Sequence, residues 1–148
     1  GDDNELLKNI KGSNWRDVET LLTTPDGKEM TKMQDVYGNL AIHAAVGFRA
    51  PDSIILSLLE INPEASRVHG TDYWLPLHIA AMWGTTPTVM NAIIRAYPSG
   101  LDDQGEPGIK GRTPRHFSGR FAHNKEALER PTEEWLQIID AEKSIYDM

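Results

Sequence analysis

The chain has no cysteine. That excludes a disulfide framework, Cys-ligated zinc, iron–sulfur clusters and thiol nucleophiles, and it leaves the redox compartment unread. Long apolar runs are also missing. The longest, Ile54-Ile55-Leu56-Ser57-Leu58-Leu59, is a fraction of the roughly 18 residues a membrane span requires, so no membrane insertion is expected. Positive charge is in deficit: 15 Lys and Arg stand against 22 Asp and Glu, giving −7, and that net field opposes broad binding to nucleic acid or anionic membrane. No Asn-x-Ser/Thr sequon occurs, so nothing suggests N-glycosylation. Catalytic signatures are absent too, with no Gly-x-Ser-x-Gly, Ser-x-x-Lys or His-Glu-x-x-His. Gly105, Gly108 and Gly111 have the wrong spacing for a dinucleotide fingerprint, and Gly27-Lys28 lacks the earlier Gly and following Ser/Thr of a phosphate loop. The expectation is a protein that is not an enzyme and carries no cofactor and no metal.

What is present is an ordinary globular composition. With 148 residues, 39% hydrophobic residues and 12 Gly, the chain can build a core, as one compact domain or a short array of repeats. It opens Gly1-Asp2-Asp3 without Met, which reads as a processed or trimmed product. A soluble intracellular location is the expectation, with an organelle kept open.

Internal repetition decides the organisation. Shifting the chain by the 35 residues that separate His43 from His78 lays Asn39-Leu40-Ala41-Ile42-His43-Ala44-Ala45 on Trp74-Leu75-Pro76-Leu77-His78-Ile79-Ala80. A further 38 residues, from His78 to His116, bring Arg112-Thr113-Pro114-Arg115-His116-Phe117-Ser118 into the same frame. Periods of this size signal units that bury their apolar faces only by stacking on neighbours. Each unit continues with apolar residues at helical spacing: Ile54, Ile55, Leu58 and Leu59, then Val89, Met90, Ile93 and Ile94, then Trp135, Ile138 and Ile139. Pro51 and Pro87 open the first two of these helices, with Thr86 placed to cap, and Pro63 and Pro98 stop them. Each histidine segment forms a shorter helix, with Pro76 or Pro114 in its first turn and Thr113 as a cap.

The period, the helix–turn–helix unit, and the segments Leu75-Pro76-Leu77-His78-Ile79-Ala80-Ala81 and Gly111-Arg112-Thr113-Pro114-Arg115-His116 resemble ankyrin repeats. The N-terminal Asn4-Glu5-Leu6-Leu7-Lys8, with Trp15-Arg16-Asp17-Val18-Glu19-Thr20-Leu21-Leu22, resembles that family's capping unit. The resemblance implies an all-α, ankyrin-like helix–turn–helix solenoid with short hairpin or turn fingers. It forms a single domain over 1–148, with units near 1–34, 35–69, 70–104 and 105–148. It also implies a protein–protein interaction module that binds a partner protein through its concave face. A structural accessory subunit, permanently packed in a larger assembly, is the alternative.

Departures from the pattern carry their own expectations. Tyr73 stands where Gly38 and Gly111 hold the turn, so the second finger cannot take the same positive-φ turn without strain. Asn62-Pro63 and Tyr97-Pro98 replace the Gly that usually ends the second helix. Arg115 occupies a normally apolar site, and residues 122–131 lengthen the last connection. Together these weaken the last interface, so the array should open from its C-terminal end. Asp102-Asp103 reads as a solvated turn, and His69 and His123 as solvated side chains.

His43, His78 and His116 recur one per unit, roughly 10 Å apart as for packed helices. Two ligands of one zinc cannot span that distance, and the resemblance implies instead that each ties one unit to the next. Residues 110–125 hold Lys110, Arg112, Arg115, Arg120 and Lys125 without an acid. This stretch reads as a solvated face bridged to Glu133 and Glu134, or as a docking patch for an acidic partner; nucleic acid is disfavoured by the net charge. Phe48, Trp83 and Phe121 align along one edge and either face the concave groove or tuck between helices. Trp74 has the better claim to exposure, because Asn39 and Arg112 are its equivalents. The candidate partner-binding residues are therefore Tyr37, Asn39, Asp72, Trp74, Met82, Trp83, Lys110, Arg112, Arg120 and Phe121, with Glu60 and Arg95 on the outer helices facing away.

Overall fold

The computed structural model describes residues 2–105 and 111–146. Lys110 lies outside them. Within them the protein is all-helical: nine α-helices and four short 3-10 turns, with no strand. The helices are α1 (Glu5–Lys11), α2 (Trp15–Leu22), α3 (Pro25–Met30), α4 (Ala41–Gly47), α5 (Asp52–Ile61), α6 (Pro76–Trp83), α7 (Pro87–Ala96), α8 (Ala122–Glu129) and α9 (Thr132–Tyr146).

Local chemistry sets most of these limits. The Asn4 side chain accepts from the Leu7 amide at 2.8 Å and starts α1. Thr86 accepts from the Val89 amide at 3.2 Å, ahead of Pro87 at the start of α7. Pro63 and Pro98 end α5 and α7 as expected, and each opens a 3-10 turn, Pro63–Arg67 and Pro98–Asp102. Thr113 caps as expected, but Pro114–Phe117 closes as a four-residue 3-10 turn instead of an α-helix.

The helices form two rows. In the inner row α4 packs between α1 and α6, and α6 packs on to the Pro114–Phe117 turn. In the outer row α5 lies between α2 and α7, and α7 meets α8. The rows meet through α1–α2, α4–α5 and α6–α7. Between them sits one continuous apolar core, with Leu6, Ile10, Ile42, Ile54, Leu77 and Ile93 at 2% exposure or less. At such sites truncation to Ala costs about 2–5 kcal/mol.

Two expectations for the last unit are corrected here. Residues 122–131 are not simply a lengthened connection, since they contain α8. Nor does Arg115 weaken the interface. Its guanidinium donates Nε to Asp102 Oδ1 at 2.7 Å, Nη1 to the Leu128 and Arg130 carbonyls at 2.8 and 2.6 Å, and Nη2 to Thr132 Oγ1 at 2.9 Å. It therefore satisfies the carbonyls left open at the end of α8 and ties them to the start of α9. Asp102 is correspondingly no free turn residue: the Arg115 hydrogen bond holds its carboxyl below the usual range, and Thr132 also donates to it at 2.8 Å. Arg115 does not reach Glu133 or Glu134. Trp135 is fully buried, donates to the Ala127 carbonyl at 3.1 Å, and carries the Arg95 and Arg130 guanidiniums 5.8 and 4.9 Å from its ring centroid.

The finger turns connect the units. In the first, Gly38 takes φ 87°. In the second, Asp72 and Tyr73 both enter the left-handed region, at φ 59° and 58°, so the same hand of turn forms and the strain is accepted. At Gly111 a Cβ would fall 1.6 Å from the Gln104 carbonyl oxygen, and that close approach requires glycine.

Candidate binding groove

The fingers are held to the inner helices by histidine. Leu40 N–H donates to His43 Nδ1 at 3.0 Å, so the proton is on Nε2, which donates to the Val68 carbonyl at 2.9 Å. His78 repeats the arrangement: Leu75 N–H donates to Nδ1 at 3.0 Å, and Nε2 donates to the Asp103 carbonyl at 2.9 Å. Each ring ties the start of its own helix to the segment that begins the next finger. Burial lowers the His43 pKa to about 4 and lowers that of His78. His116 departs from this pattern: it is exposed, and among the described residues it stands edge-on to Phe117, with ring centroids 5.2 Å apart. Among the described residues no three His, Asp or Glu side chains gather as a metal site.

His69 and His123, expected to be solvated, both have partners. His69 Nε2 lies 2.8 Å from Asp103 Oδ2, and His123 Nε2 lies 2.9 Å from the Thr85 carbonyl. Asn39 joins the first two fingers directly, donating Nδ2 to Thr71 Oγ1 at 2.8 Å and accepting from Thr71 N–H at 2.9 Å.

These ties leave a groove of about 750 Å³ along the inner row. Its floor is apolar, made by Ala44 and Gly47 of α4 with Ile79 and Met82 of α6. At the C-terminal ends of the two helices stand Phe48 and Trp83, 48% and 52% exposed. At the other end the fingers contribute Asn39, Thr71, Asp72 and Asp35. Lys11 also lines that end, 2.8 Å from Asp3 and 3.8 Å from Asp35, and the Asp3 hydrogen bond raises its pKa.

Of the proposed contact residues, Asn39, Asp72, Trp74, Met82 and Trp83 line this groove together. Trp74 does so from a half-buried position, correcting the expectation of exposure. Its ring stacks on His78 with centroids 5.6 Å apart and meets Phe117 edge-on at 5.8 Å. Phe48 and Trp83 face outward, whereas Phe121 is half-buried beside Gly84 and lines a separate cleft. Tyr37 borders another cleft, at the finger tips. Arg112 is exposed on the third finger and lines neither the groove nor those two clefts. Arg120 does not line the groove but reaches the end of α6, donating Nε to the Met82 carbonyl at 2.7 Å.

Sequence reasoning missed Arg49. Its Nη2 donates to the Trp83 carbonyl at 2.8 Å, so two arginines flank the end of α6. The available signal was its place directly after Phe48. Arg95, expected to face away freely, instead pairs with Glu142 of α9 and lies over Trp135.

No helix among the described residues is long and apolar enough to cross a membrane. Comparison with protein-family models, with curated proteins and with solved structures returned no match.

Proposed function

We propose that the chain is an ankyrin-like solenoid and a protein-binding module, not an enzyme, taking a partner protein in the groove along its inner helices. The fold reading is supported by the two rows of stacked helices and by the repeated histidine tie of His43 and His78. The observation that carries the binding reading is Phe48 and Trp83, two large aromatic side chains about half exposed at the mouth of an apolar groove. Aromatic side chains with arginine are the usual anchors of interfaces, and the groove volume is within the range of specific binding sites.

The test is a comparative capture experiment. Proteins retained by the wild-type chain are scored against Trp83→Ala and Phe48→Ala, with Glu60→Ala on the exposed face of α5 as control. Partner affinity should fall about 30-fold or more for each groove variant, the equivalent of about 2 kcal/mol, and stay unchanged for Glu60→Ala. Capture that survives both groove substitutions would reject the site.

A second reading, an accessory subunit packed permanently in a larger assembly, is favoured by exposed apolar side chains that do not line the groove. These are Met33, Val36 and Tyr37 after α3, and Leu136, Ile145 and Tyr146 on α9. Size-exclusion chromatography separates the two: a discrete monomer supports the adaptor, and self-association relieved by polar substitution of those residues supports the subunit.

A further inference from the structure

We infer that the groove takes an acidic linear segment of its partner, with an aromatic or long aliphatic side chain set between Phe48 and Trp83 and carboxylates on Arg49 and Arg120. This rests on the protein-binding reading above and specifies its ligand.

Neither arginine lines the groove itself; both lie just past its mouth at the end of α6, Arg49 on the neighbouring cleft that Phe121 also lines. Arg49 follows Phe48 directly, and its guanidinium is fixed by the Trp83 carbonyl; Arg120 is fixed by the Met82 carbonyl. Each uses one of its five N–H donors in that bond. Among the described residues neither takes part in an ion pair. In a chain of net charge −7, two pre-positioned guanidiniums without carboxylates, beside two exposed aromatics, present a complement to an acidic ligand. Arginine's planar fork matches a carboxylate in two-point geometry.

The backbone gives an independent observation. Arg49 has φ 57°, in the left-handed region, while the residue at the same distance after the repeat histidine in the next unit is Gly84, with φ 93°. Glycine is the residue that suits this place at a helix end. An arginine held there costs backbone strain, and a side chain kept at such a cost points to a function for that side chain.

Asp52 lines the same cleft as Arg49, where its carboxylate accepts from Thr86 Oγ1 at 2.9 Å and forms no ion pair with Arg49; the groove's own acids are also engaged or distant. Asp35 is occupied, accepting from the Tyr37 and Asn39 amides at 2.8 and 2.9 Å, with its side chain 3% exposed. Asp72 lies at the finger end, before α6 begins. The eight residues of α6 span about 12 Å at 1.5 Å per residue, longer than the roughly 8 Å screening length at physiological salt. The apolar floor also makes the site unsuited to a nucleic acid strand, which would need a basic track along its whole length.

The test uses a displayed library of random dodecapeptides, selected on the wild-type chain and followed by titration of the enriched peptides. Enriched sequences should place Asp or Glu beside an aromatic or aliphatic residue. Their affinity should fall about tenfold for Arg49→Gln with Arg120→Gln, which keep a donor for the helix carbonyls, and should weaken with added salt. Arg49→Gly should melt at least as high as wild type while losing affinity; a lower melting temperature with affinity intact would make Arg49 a structural cap and overturn the inference. Groove-dependent peptides without acid, or no enrichment at all, would overturn the acidic-segment assignment and leave the groove for a folded partner. Peptides whose binding ignores Trp83→Ala and Phe48→Ala would reject the groove itself, and with it both proposals. Single-stranded oligonucleotide binding that depends on Arg49 and Arg120 at physiological salt would reassign the arginines to phosphate.

Discussion

A histidine with both ring nitrogens engaged inside the protein is a proton-sensitive part. At His43 the Leu40 N–H points at Nδ1, so a second proton on the ring has no acceptor there. Burial therefore depresses the folded-state pKa to about 4, below the unfolded value near 6.5. The unfolded chain binds the extra proton first. The stability contribution is consequently intact above about pH 6.5 and lost as pH falls toward 4, by about 2 kcal/mol between pH 7 and pH 5. His78 shifts in the same direction. Urea titrations at the two pH values should show that loss, and His43→Gln should remove most of its pH dependence. His78→Ala should destabilise by roughly 1–3 kcal/mol, and neither zinc nor a chelator should move the melting temperature. The repeat made the structural part of His43 and His78 legible. His116 was not, because its tie needs a carbonyl 25 residues downstream, as Val68 is from His43 and Asp103 from His78. The residue at that place is Ala141, inside α9, where helix bonds already occupy the backbone.

At the level of elements, the last unit depends on one side chain. Arg115 binds Asp102, the carbonyls at the end of α8 and the first residue of α9. Its replacement leaves several buried or half-buried acceptors unpaired at once. Arg115→Met should cost roughly 2–3 kcal/mol, the range for hydrogen bonds to a charged group. It should speed amide exchange in α8 and α9 well before α4 and α5; protection lost uniformly would show that the last unit is not separately held. The Thr113 cap and the existence of α9, from the apolar spacing of Trp135, Ile138 and Ile139, were legible in this region; α8 and the 3-10 form of Pro114–Phe117 were not. The role of Arg115 was not. A charged residue in an apolar frame reads as a defect until the acceptors gathered from three other segments are known.

On the scale of the whole molecule, the inner row carries both buried and exposed large side chains, so the proposed binding role can be tested apart from stability. Leu77 is buried under the inner row and Trp83 stands at its rim. Leu77→Ala should lose about 2–5 kcal/mol, whereas Trp83→Ala should leave the melting curve nearly unchanged; a large loss of stability at Trp83 would mean that it belongs to the core. The sequence by itself determined the all-helical class, the repeating unit, the prolines and threonines that begin and end helices, and the buried faces. Each of these follows from spacing and backbone chemistry within a few residues. Only the tertiary structure decided that Trp74 turns inward on to His78 while Trp83 turns outward, that Arg115 is a clamp, and that Arg49 joins Arg120 at the end of α6. The arginine contacts depend on which atoms meet across 13 to 38 residues of chain, and no local pattern encodes that meeting.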